Sequence, residues 1–250
     1  MAISLVSNVA MNGPSGGGTS TSIDTTGANL IIISLASYFG AGAPSVSDNK
    51  GNTYTSILTK SSFDSTAKIT AWYCLSPTVG TGHTFTFSVS GSYPTLMVSA
   101  WSGAATSSVL DEYDGIVNSS ASTSITLPAI SPAEDNELIY TALCGGANST
   151  ESISDDFTKV YNSDYNDSSY MLGAWGYKNQ TTAEAENPTW SGSNIDRAAI
   201  ILSFKAEPVE GNSSTPVYLG THVSPALNVL KSHLLINKYG EDDNPLNKII

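Results

Sequence analysis

Short apolar runs alternate with polar turns along the first two hundred residues of the chain. The segment HTFTFSVS places Phe85, Phe87 and Val89 on one face, which is the period-two pattern of a half-buried strand. The segment NLIIISLA is instead a continuous apolar run, typical of a strand that is covered on both faces. Clusters such as GPSGGG, DNKGN and SGSYP separate these runs. The pattern predicts an all-β domain of the sandwich or barrel type.

The two halves of this region repeat the same landmarks in the same order. The first half contains Leu30-Ile31-Ile32-Ile33, Val46-Ser47-Asp48, Ala71-Trp72 and a strand ending at Trp101. The second half contains Leu138-Ile139-Tyr140, Ile153-Ser154-Asp155, Ala174-Trp175 and a strand ending at Phe204. In both halves 29 residues separate the last two landmarks. We therefore predict two related β-modules that pack face to face as a two-sheet sandwich over residues 1–206.

The chain changes character after residue 206. The polar stretch from Glu207-Pro208 to Pro216 is expected to end the sheet, since proline cannot donate a ladder hydrogen bond. The segment VYLGT that follows predicts a short β segment containing Tyr218 and Leu219. Residues 207–250 are thus expected to form a separate C-terminal extension.

The second part of the extension predicts a helix. Ser224-Pro225 is typical of a helix start, and Leu227, Leu230 and Leu234 follow on one apolar stripe up to Gly240. A strand at residues 233–236 is the alternative. A helix of about 15 residues is marginal in water, so its stripe must pack against its own sandwich or against another subunit. The flexible linker at 211–214 favours docking on a neighbour. The predicted docking residues are Tyr218, Leu219, Leu227, Leu230 and Leu234.

The composition narrows the possible partners. Charged residues make up 13% of the chain and the formal net charge is −12. Because no basic patch is present, we expect no nucleic-acid binding, and anionic membranes are disfavoured. No run of about 18 apolar residues predicts a transmembrane helix. The first residues lack the features of a secretory signal, so a composition typical of extracellular proteins occurs without a recognisable export segment.

Candidate catalytic and metal-binding chemistry is sparse. The three histidines show no metal-ligand spacing, no GxSxG motif is present, and we expect neither enzymatic activity, metal nor cofactor. His83 is expected in a solvent-exposed turn. A pair of carboxylates acting in glycoside hydrolysis is an open alternative. Asp48–Asn52 is interpreted as a turn and Asp111–Gly115 as an exposed acidic loop, with cation binding as the alternative for both.

Two further sets of residues leave alternatives open. Cys74 and Cys144 lie in apolar runs and are expected to be buried free thiols, with a disulfide as the alternative. Tyrosines interleaved with Asn and Asp could form a glycan-binding surface, although strand aromatics around a polar hairpin would give the same pattern. The glycan-contact candidates are Tyr161, Tyr165 and Tyr170.

One longer stretch resembles a known group of modules. The elements are an opening apolar strand, the turn SVSDNKGNTY, the aromatic strand ITAWYCLS, a Gly turn and the closing strand TLMVSAW. They are similar to β-sandwich modules of phage virion proteins and of large bacterial surface proteins. The resemblance implies a jelly-roll-like, non-catalytic fold over roughly residues 1–206.

The resemblance also sets the functional expectation. It implies a structural protein of a bacteriophage virion, such as a capsid decoration, baseplate or tail component, located in the virion and extracellular after host lysis. The expected partners are other virion proteins through the C-terminal extension, further copies of the same chain, and host-surface glycans. The alternative is a carbohydrate-binding module or adhesin domain of a secreted or surface bacterial protein.

Overall fold

The computed structural model describes residues 2–208 apart from 15, 39, 41, 63, 91–93 and 164–170. This part of the chain contains strands and no α-helix, which confirms the all-β prediction. Its strands are β1 Ser4–Asn12, β2 Gly16–Thr19, β3 Leu30–Tyr38, β4 Ser45–Asp48, β5 Thr55–Ser61, β6 Ala67–Leu75, β7 Phe85–Val89, β8 Thr95–Ser102, β9 Leu110–Val117, β10 Ser122–Thr126, β11 Leu138–Gly145, β12 Ser152–Ile153, β13 Thr158–Asn162, β14 Leu172–Asn179, β15 Thr189–Ile195 and β16 Arg197–Phe204.

The strands form two modules with the same topology. In the first module, β1 to β8, the sheet orders are β1-β8-β3-β6-β5 and β2-β7-β4. In the second module, β9 to β16, they are β9-β16-β11-β14-β13 and β10-β15-β12. Adding eight to each strand number converts the first module into the second. Each module is therefore an eight-stranded antiparallel sandwich of the jelly-roll type.

The two modules pack through their five-stranded sheets. One apolar cluster joins these sheets, and a further cluster fills the space between the two sheets of each module. Along β3, Ile31 and Ile33 face the three-stranded sheet, whereas Leu30 and Ile32 face the other module. The body therefore has four sheets, because each predicted half carries its own second sheet. This arrangement explains why the central strands are apolar on both faces.

Most of the predicted repeat landmarks occupy equivalent positions. Trp101 and Phe204 each lie opposite the first residue of a central strand, Leu30 and Leu138 respectively. The pairing of Val46 with Phe87 matches the pairing of Ile153 with Trp190. The outer faces also match, since a threonine pair bridges β2 to β7 at 2.9 Å and β10 to β15 at 2.8 Å.

The tryptophan landmark of the repeat was wrong. Trp72 lies opposite Ile33 and packs inside the first module. Trp175 lies opposite Ala142 and packs between the modules. The two positions differ by one residue in the sheet register, and such a slip turns a side chain to the other face. The spacing of 29 residues is the same in both halves, although the two tryptophans occupy register positions that differ by one residue.

Aromatic contacts and a hydrogen bond join the two modules where their five-stranded sheets meet. The Trp175 ring stacks on Tyr140 at a centroid distance of 5.4 Å and meets Trp101 edge-on at 6.4 Å. The Tyr140 hydroxyl lies 2.7 Å from Ser34 Oγ, so this buried phenol has a hydrogen-bond partner. Burial raises the pKa of Tyr140. The two modules consequently form one body rather than two linked domains.

The strand registers give this body two distinct ends. The end that we call the linker end contains the start of β1, the exit from β8 and the exit from β16. There the Glu207 N–H donates to the Gly103 carbonyl at 2.8 Å, and Ala206 forms a bridge with Ala104. The opposite end, which we call the loop end, contains the connection after β3, that after β11 and the start of β16. Eight residues of β16 separate the two ends by about 25 Å.

The C-terminal extension lies mostly beyond the described residues. Ala206 and Glu207, which lie at the predicted boundary, are both bonded to the connection between the modules. The predicted β segment and helix, with all five docking residues, belong to residues 209–250 and are outside the description. Among the residues described, no helix has the length and apolarity needed to cross a membrane.

Candidate functional site

Thr25, Asp48 and His83 form a buried polar cluster at the linker end of the first module. His83 Nδ1 lies 2.9 Å from Thr25 Oγ1, and His83 Nε2 lies 3.1 Å from Asp48 Oδ2. The imidazole has no exposed surface and stacks on Phe85 at 4.4 Å. The expectation of a solvent-exposed His83 was therefore wrong. Backbone pairing between His83 and Ile23 draws this Gly-flanked residue into the sandwich.

The Asp48 carboxylate is saturated with hydrogen-bond donors. It accepts bonds from the Lys50 N–H, from the backbone and side chain of Asn52, and from the Tyr54 hydroxyl at 2.5 Å. Burial alone would raise its pKa, but the hydrogen bonds from Tyr54 and Asn52 outweigh it and lower the pKa to about 2. Few lone pairs remain for a calcium ion. These contacts support the interpretation of Asp48–Asn52 as a turn.

The order Thr25, His83, Asp48 resembles a nucleophile, base and acid of a hydrolase. Such a triad needs a nucleophile that a substrate can reach. Thr25 and His83 are both fully buried, and Thr25 Oγ1 already accepts the Gly80 N–H at 3.1 Å. The cluster joins three segments of the first module and presents no reactive atom to solvent. Its geometry is that of a structural brace.

A buried ion pair supports the loop end of the second module. Arg197 and Glu151 have fully buried side chains and pair at 2.8 Å. The remaining guanidinium donors reach the carbonyl oxygens of Ser122 at 2.6 Å and Ser193 at 2.7 Å, and Ser149 Oγ at 3.2 Å. An ion pair is tolerated in a protein core when its hydrogen-bonding groups all have partners. The sequence gives no signal for this pair, because 46 residues separate its members.

A third cluster gathers carboxylates near the linker end. Asp111 and Glu134 both bind Lys205, at 3.1 and 3.2 Å, and Glu137 is completely buried beside them. Burial and the neighbouring Asp111 charge raise the pKa of Glu137 to about 7. This carboxyl has the pKa of a general acid but no exposed surface from which to act on a substrate.

The acidic segment Asp111–Gly115 lies within β9 rather than in an exposed loop, which corrects the expectation. Its carboxylates bind different partners: Asp111 binds Lys205, Glu112 accepts the Ser131 N–H, and Asp114 pairs with Lys60 at 3.6 Å. No group of three potential metal ligands occurs within the described ranges. The carboxylates of this segment therefore each stabilise a different neighbouring residue.

The structure also locates the predicted cysteines and one of the tyrosines. Cys74 and Cys144 are buried free thiols, as expected. Tyr161 is half-buried against the core between the modules, and its hydroxyl lies 3.3 Å from Asn12 Oδ1. Tyr165 and Tyr170 lie outside the described residues. Ser163 and Met171, which flank that segment, are at the loop end.

Two accessible clefts open at the loop end of the second module. The larger, of about 420 Å³, lies between β9 and β10. The smaller, of about 360 Å³, lies beside the loop after β11. The larger cleft is lined by Ile116, Val117, Asn118, Ser119, Ser120, Ser122, Ser124, Ile125 and Thr126. The smaller cleft is lined by Asn148, Ser149, Thr150 and Ser193. Among these lining residues none is charged. We call the larger one the β9–β10 cleft.

Comparison with known proteins adds no relative. A scan against protein-family models, a search of curated proteins and a search of solved structures each find no match to this chain.

Proposed function

We propose that this protein is a non-enzymatic structural component of a bacteriophage particle, serving as a capsid decoration, baseplate or tail protein. Its double jelly-roll body is displayed outward, and its C-terminal extension docks on other particle proteins or on further copies of the chain. The body contacts host-surface glycans with the end that faces away from the particle.

The observation that most supports this proposal is that the body has two distinct ends, the linker end and the loop end. The chain leaves β16 at the linker end, where Ala206 and Glu207 are held against the connection between the modules. Two accessible clefts formed by described residues lie at the opposite end, about 25 Å away along the strands. An anchor at one end therefore leaves the other end free for a partner. The polar networks inside the modules are buried braces, and they support scaffolding rather than catalysis.

Truncation after Pro208 tests the anchoring. We expect residues 1–208 to remain folded, since all three apolar clusters belong to the described body. Incorporation into the particle, or self-association of the purified chain, should be lost. Circular dichroism and sedimentation velocity would measure the two effects. Unfolding of the truncated chain would contradict the proposal, because the extension would then be part of the core.

A matched pair of substitutions tests whether the extension docks through its predicted apolar stripe. Leu230→Asp places a charge on the predicted apolar stripe, whereas Asn228→Asp places the same charge off the stripe. We expect only Leu230→Asp to abolish assembly. Equal assembly of the two variants would contradict a helix that docks through its leucines.

A carbohydrate-binding module of a bacterial surface protein is the second candidate function. The observation that favours it is the pair of uncharged clefts rich in hydroxyl and amide groups at the loop end. In that case glycan binding would persist in the truncated chain, and no particle protein would bind the extension.

A further inference from the structure

Two pairs of residues in the chain place an acidic or amide side chain directly before a glycine, namely Asn12-Gly13 and Asp114-Gly115. Glycine has no Cβ to shield its own amide nitrogen, and that nitrogen can attack the side-chain carbonyl carbon of the preceding residue. The product is a succinimide ring, which water opens to an aspartyl or an isoaspartyl linkage. In unstructured chains an Asn-Gly pair reacts faster than an Asp-Gly pair. The structure gives the two pairs very different surroundings.

The Asp114-Gly115 pair has its reacting groups in contact. The Gly115 N–H donates to Asp114 Oδ1 at 2.6 Å, so the attacking nitrogen already lies against the carboxyl group that it must attack. An intramolecular reaction is fast when its groups are held in such a near-attack arrangement. The Asp114 side chain is 52% exposed, which lets water reach the carboxyl group and, later, the ring.

The strand ladder leaves this N–H available. β9 lies at the edge of its five-stranded sheet and pairs with β16. The Asn118 N–H donates toward β16, to the Arg197 carbonyl at 3.1 Å. Because amide direction alternates along an antiparallel strand, the Gly115 N–H three residues earlier points away from β16. An attack by the Gly115 nitrogen therefore leaves the hydrogen bonds between β9 and β16 in place.

Packing requires the glycine of this pair. A Cβ at position 115 would lie 2.7 Å from the Ala199 carbonyl oxygen and 2.8 Å from Lys60 Cγ. Lys60 also pairs with the Asp114 carboxylate at 3.6 Å. Because Lys60 belongs to β5 of the first module, the reactive pair lies where edge strands of the two modules meet.

The Asn12-Gly13 pair, at the end of the equivalent edge strand β1, is held in an unreactive arrangement. The Gly13 N–H donates to the Pro94 carbonyl at 2.8 Å. Asn12 Oδ1 accepts the Thr95 hydroxyl at 3.1 Å and lies 3.3 Å from the Tyr161 hydroxyl. The nitrogen and the side chain are therefore both bonded to other partners, and an attack would break those hydrogen bonds.

From this contrast we infer that Asp114 is a site of spontaneous isomerisation to isoaspartate in the folded protein, whereas Asn12 is protected. The Gly115 nitrogen forms a bond to Asp114 Cγ and loses its proton, and one carboxyl oxygen leaves as water. A water molecule then adds to one of the two ring carbonyls. Opening at Cγ restores aspartate. Opening at the main-chain carbonyl leaves the chain running through Cγ, with the former main-chain carbonyl as a free carboxylate.

The rearrangement has a structural consequence at the contact between the modules. It adds one carbon atom to the main chain of β9, just before Ile116 and Val117 pair with Ala199 and Ala198. It also moves the carboxylate away from its place beside Lys60. The isoaspartyl form should therefore unfold at a lower urea concentration than the aspartyl form. The inference goes beyond the proposed function and does not depend on anchoring in a particle.

The test compares the two pairs within one molecule. The full-length chain is incubated in neutral buffer, folded in one sample and unfolded in urea in the other. Labelling with an isoaspartyl methyltransferase and peptide mapping then locate the isoaspartate. In the folded sample we expect it to accumulate at Asp114 while Asn12 stays intact, and in urea we expect Asn12 to react faster. The inference is overturned if the folded chain forms no isoaspartate at Asp114, or if Asn12 reacts faster there too.

Two variants at the same position complete the test. Asp114→Glu keeps a carboxylate near Lys60 but needs a six-membered ring, so the labelling at this position should be lost while circular dichroism is unchanged. Asp114→Asn keeps the length of the side chain and supplies a better leaving group at neutral pH, so it should react faster than the parent. An Asp114→Asn chain that reacts in urea but stays intact when folded would show that β9 holds the groups in an unreactive orientation, and would overturn the inference.

Discussion

His83 in the first module and Glu186 in the second occupy the same position in their folds. His83 forms a backbone bridge with Ile23, and Glu186 forms the equivalent bridge with Ile130. Both side chains are buried, but His83 faces Asp48 whereas Glu186 pairs with Lys178 at 2.7 Å. The two modules thus share their backbone pairing while filling the same polar position with different chemistry. The equivalent positions therefore both hold a buried polar side chain, although the residue type differs.

The loop ends of the two modules differ more strongly. Arg197 and Asn118 in the second module replace Pro94 and Gly13 in the first, and with them come a buried ion pair and an accessible cleft. The apolar strands and the cross-strand threonine pairs occur in both modules and determine the architecture that the modules share. The differences between the modules are therefore where a specific function is expected.

Removing the arginine of the buried pair should have the largest effect. Arg197→Met leaves the Glu151 carboxylate buried without its partner, which typically costs about 3–5 kcal/mol. Urea unfolding would measure the loss. Lys60→Met, in the more exposed pair with Asp114, is the control and should cost less than about 1 kcal/mol. Equal losses in the two variants would show that the second module does not depend on the buried pair.

The brace of the first module should give the next largest effect. Asp48→Asn replaces the acceptor of several hydrogen bonds and should cost about 2–3 kcal/mol at pH 7. Asp155→Asn, at the equivalent but exposed position of the second module, should cost less than about 0.5 kcal/mol. Chemical denaturation of both variants tests whether the brace belongs to the first module alone.

The pH dependence of the same carboxylate has a definite sign. Because the folded-state pKa of Asp48 is lowered from 3.8 to about 2, its stabilising contribution is present above pH 4 and disappears as the pH falls toward 2. The parent protein should therefore lose stability over this range more steeply than Asp48→Asn. Identical acid profiles would contradict the hydrogen-bonding role of Asp48.

Much of the fold was predictable from the sequence, and the reasons for the rest are physical. Apolar runs bounded by turn residues located the strands, and the continuous run around Ile32 indicated burial on both faces. The Trp72 and Trp175 alignment failed because a one-residue offset in register does not alter the apolar pattern. His83, Glu137 and Arg197 were not identified as buried, since their partners are distant in sequence and burial of polar groups has no periodic signal.

Glu137 offers a smaller effect of opposite sign. Its folded-state pKa is raised from 4.5 to about 7, so the folded protein keeps a proton that the unfolded chain releases in this range. Stability should fall as the pH rises from 4.5 to 7 and then level off. Glu137→Gln cannot ionise and should be more stable than the parent by about 1–2 kcal/mol at pH 8.

Thermal unfolding at pH 5 and pH 8 would measure the effect of Glu137. Glu134→Gln, which alters an exposed neighbour, should retain the slope of the parent. A parent protein whose stability is unchanged between pH 4.5 and 7 would contradict the assignment to Glu137.

The outer threonine pairs should give the smallest effects and the closest agreement between modules. Thr19→Val and Thr126→Val each remove one hydroxyl from a cross-strand pair on an exposed face. Each should cost about 0.2–1 kcal/mol, in line with other cross-strand pairs. The two losses in urea unfolding should be equal within error, whereas a clearly larger loss in one module would mean that the matching registers do not have matching energetics.

Native-state hydrogen exchange on the full-length chain tests most directly whether the two modules form one body. The account predicts that amides of β3 and β8 in the first module and of β11 and β16 in the second exchange equally slowly, with one unfolding free energy. Exchange of β11 and β16 while β3 and β8 stay protected, or the reverse, would contradict a shared core between the five-stranded sheets.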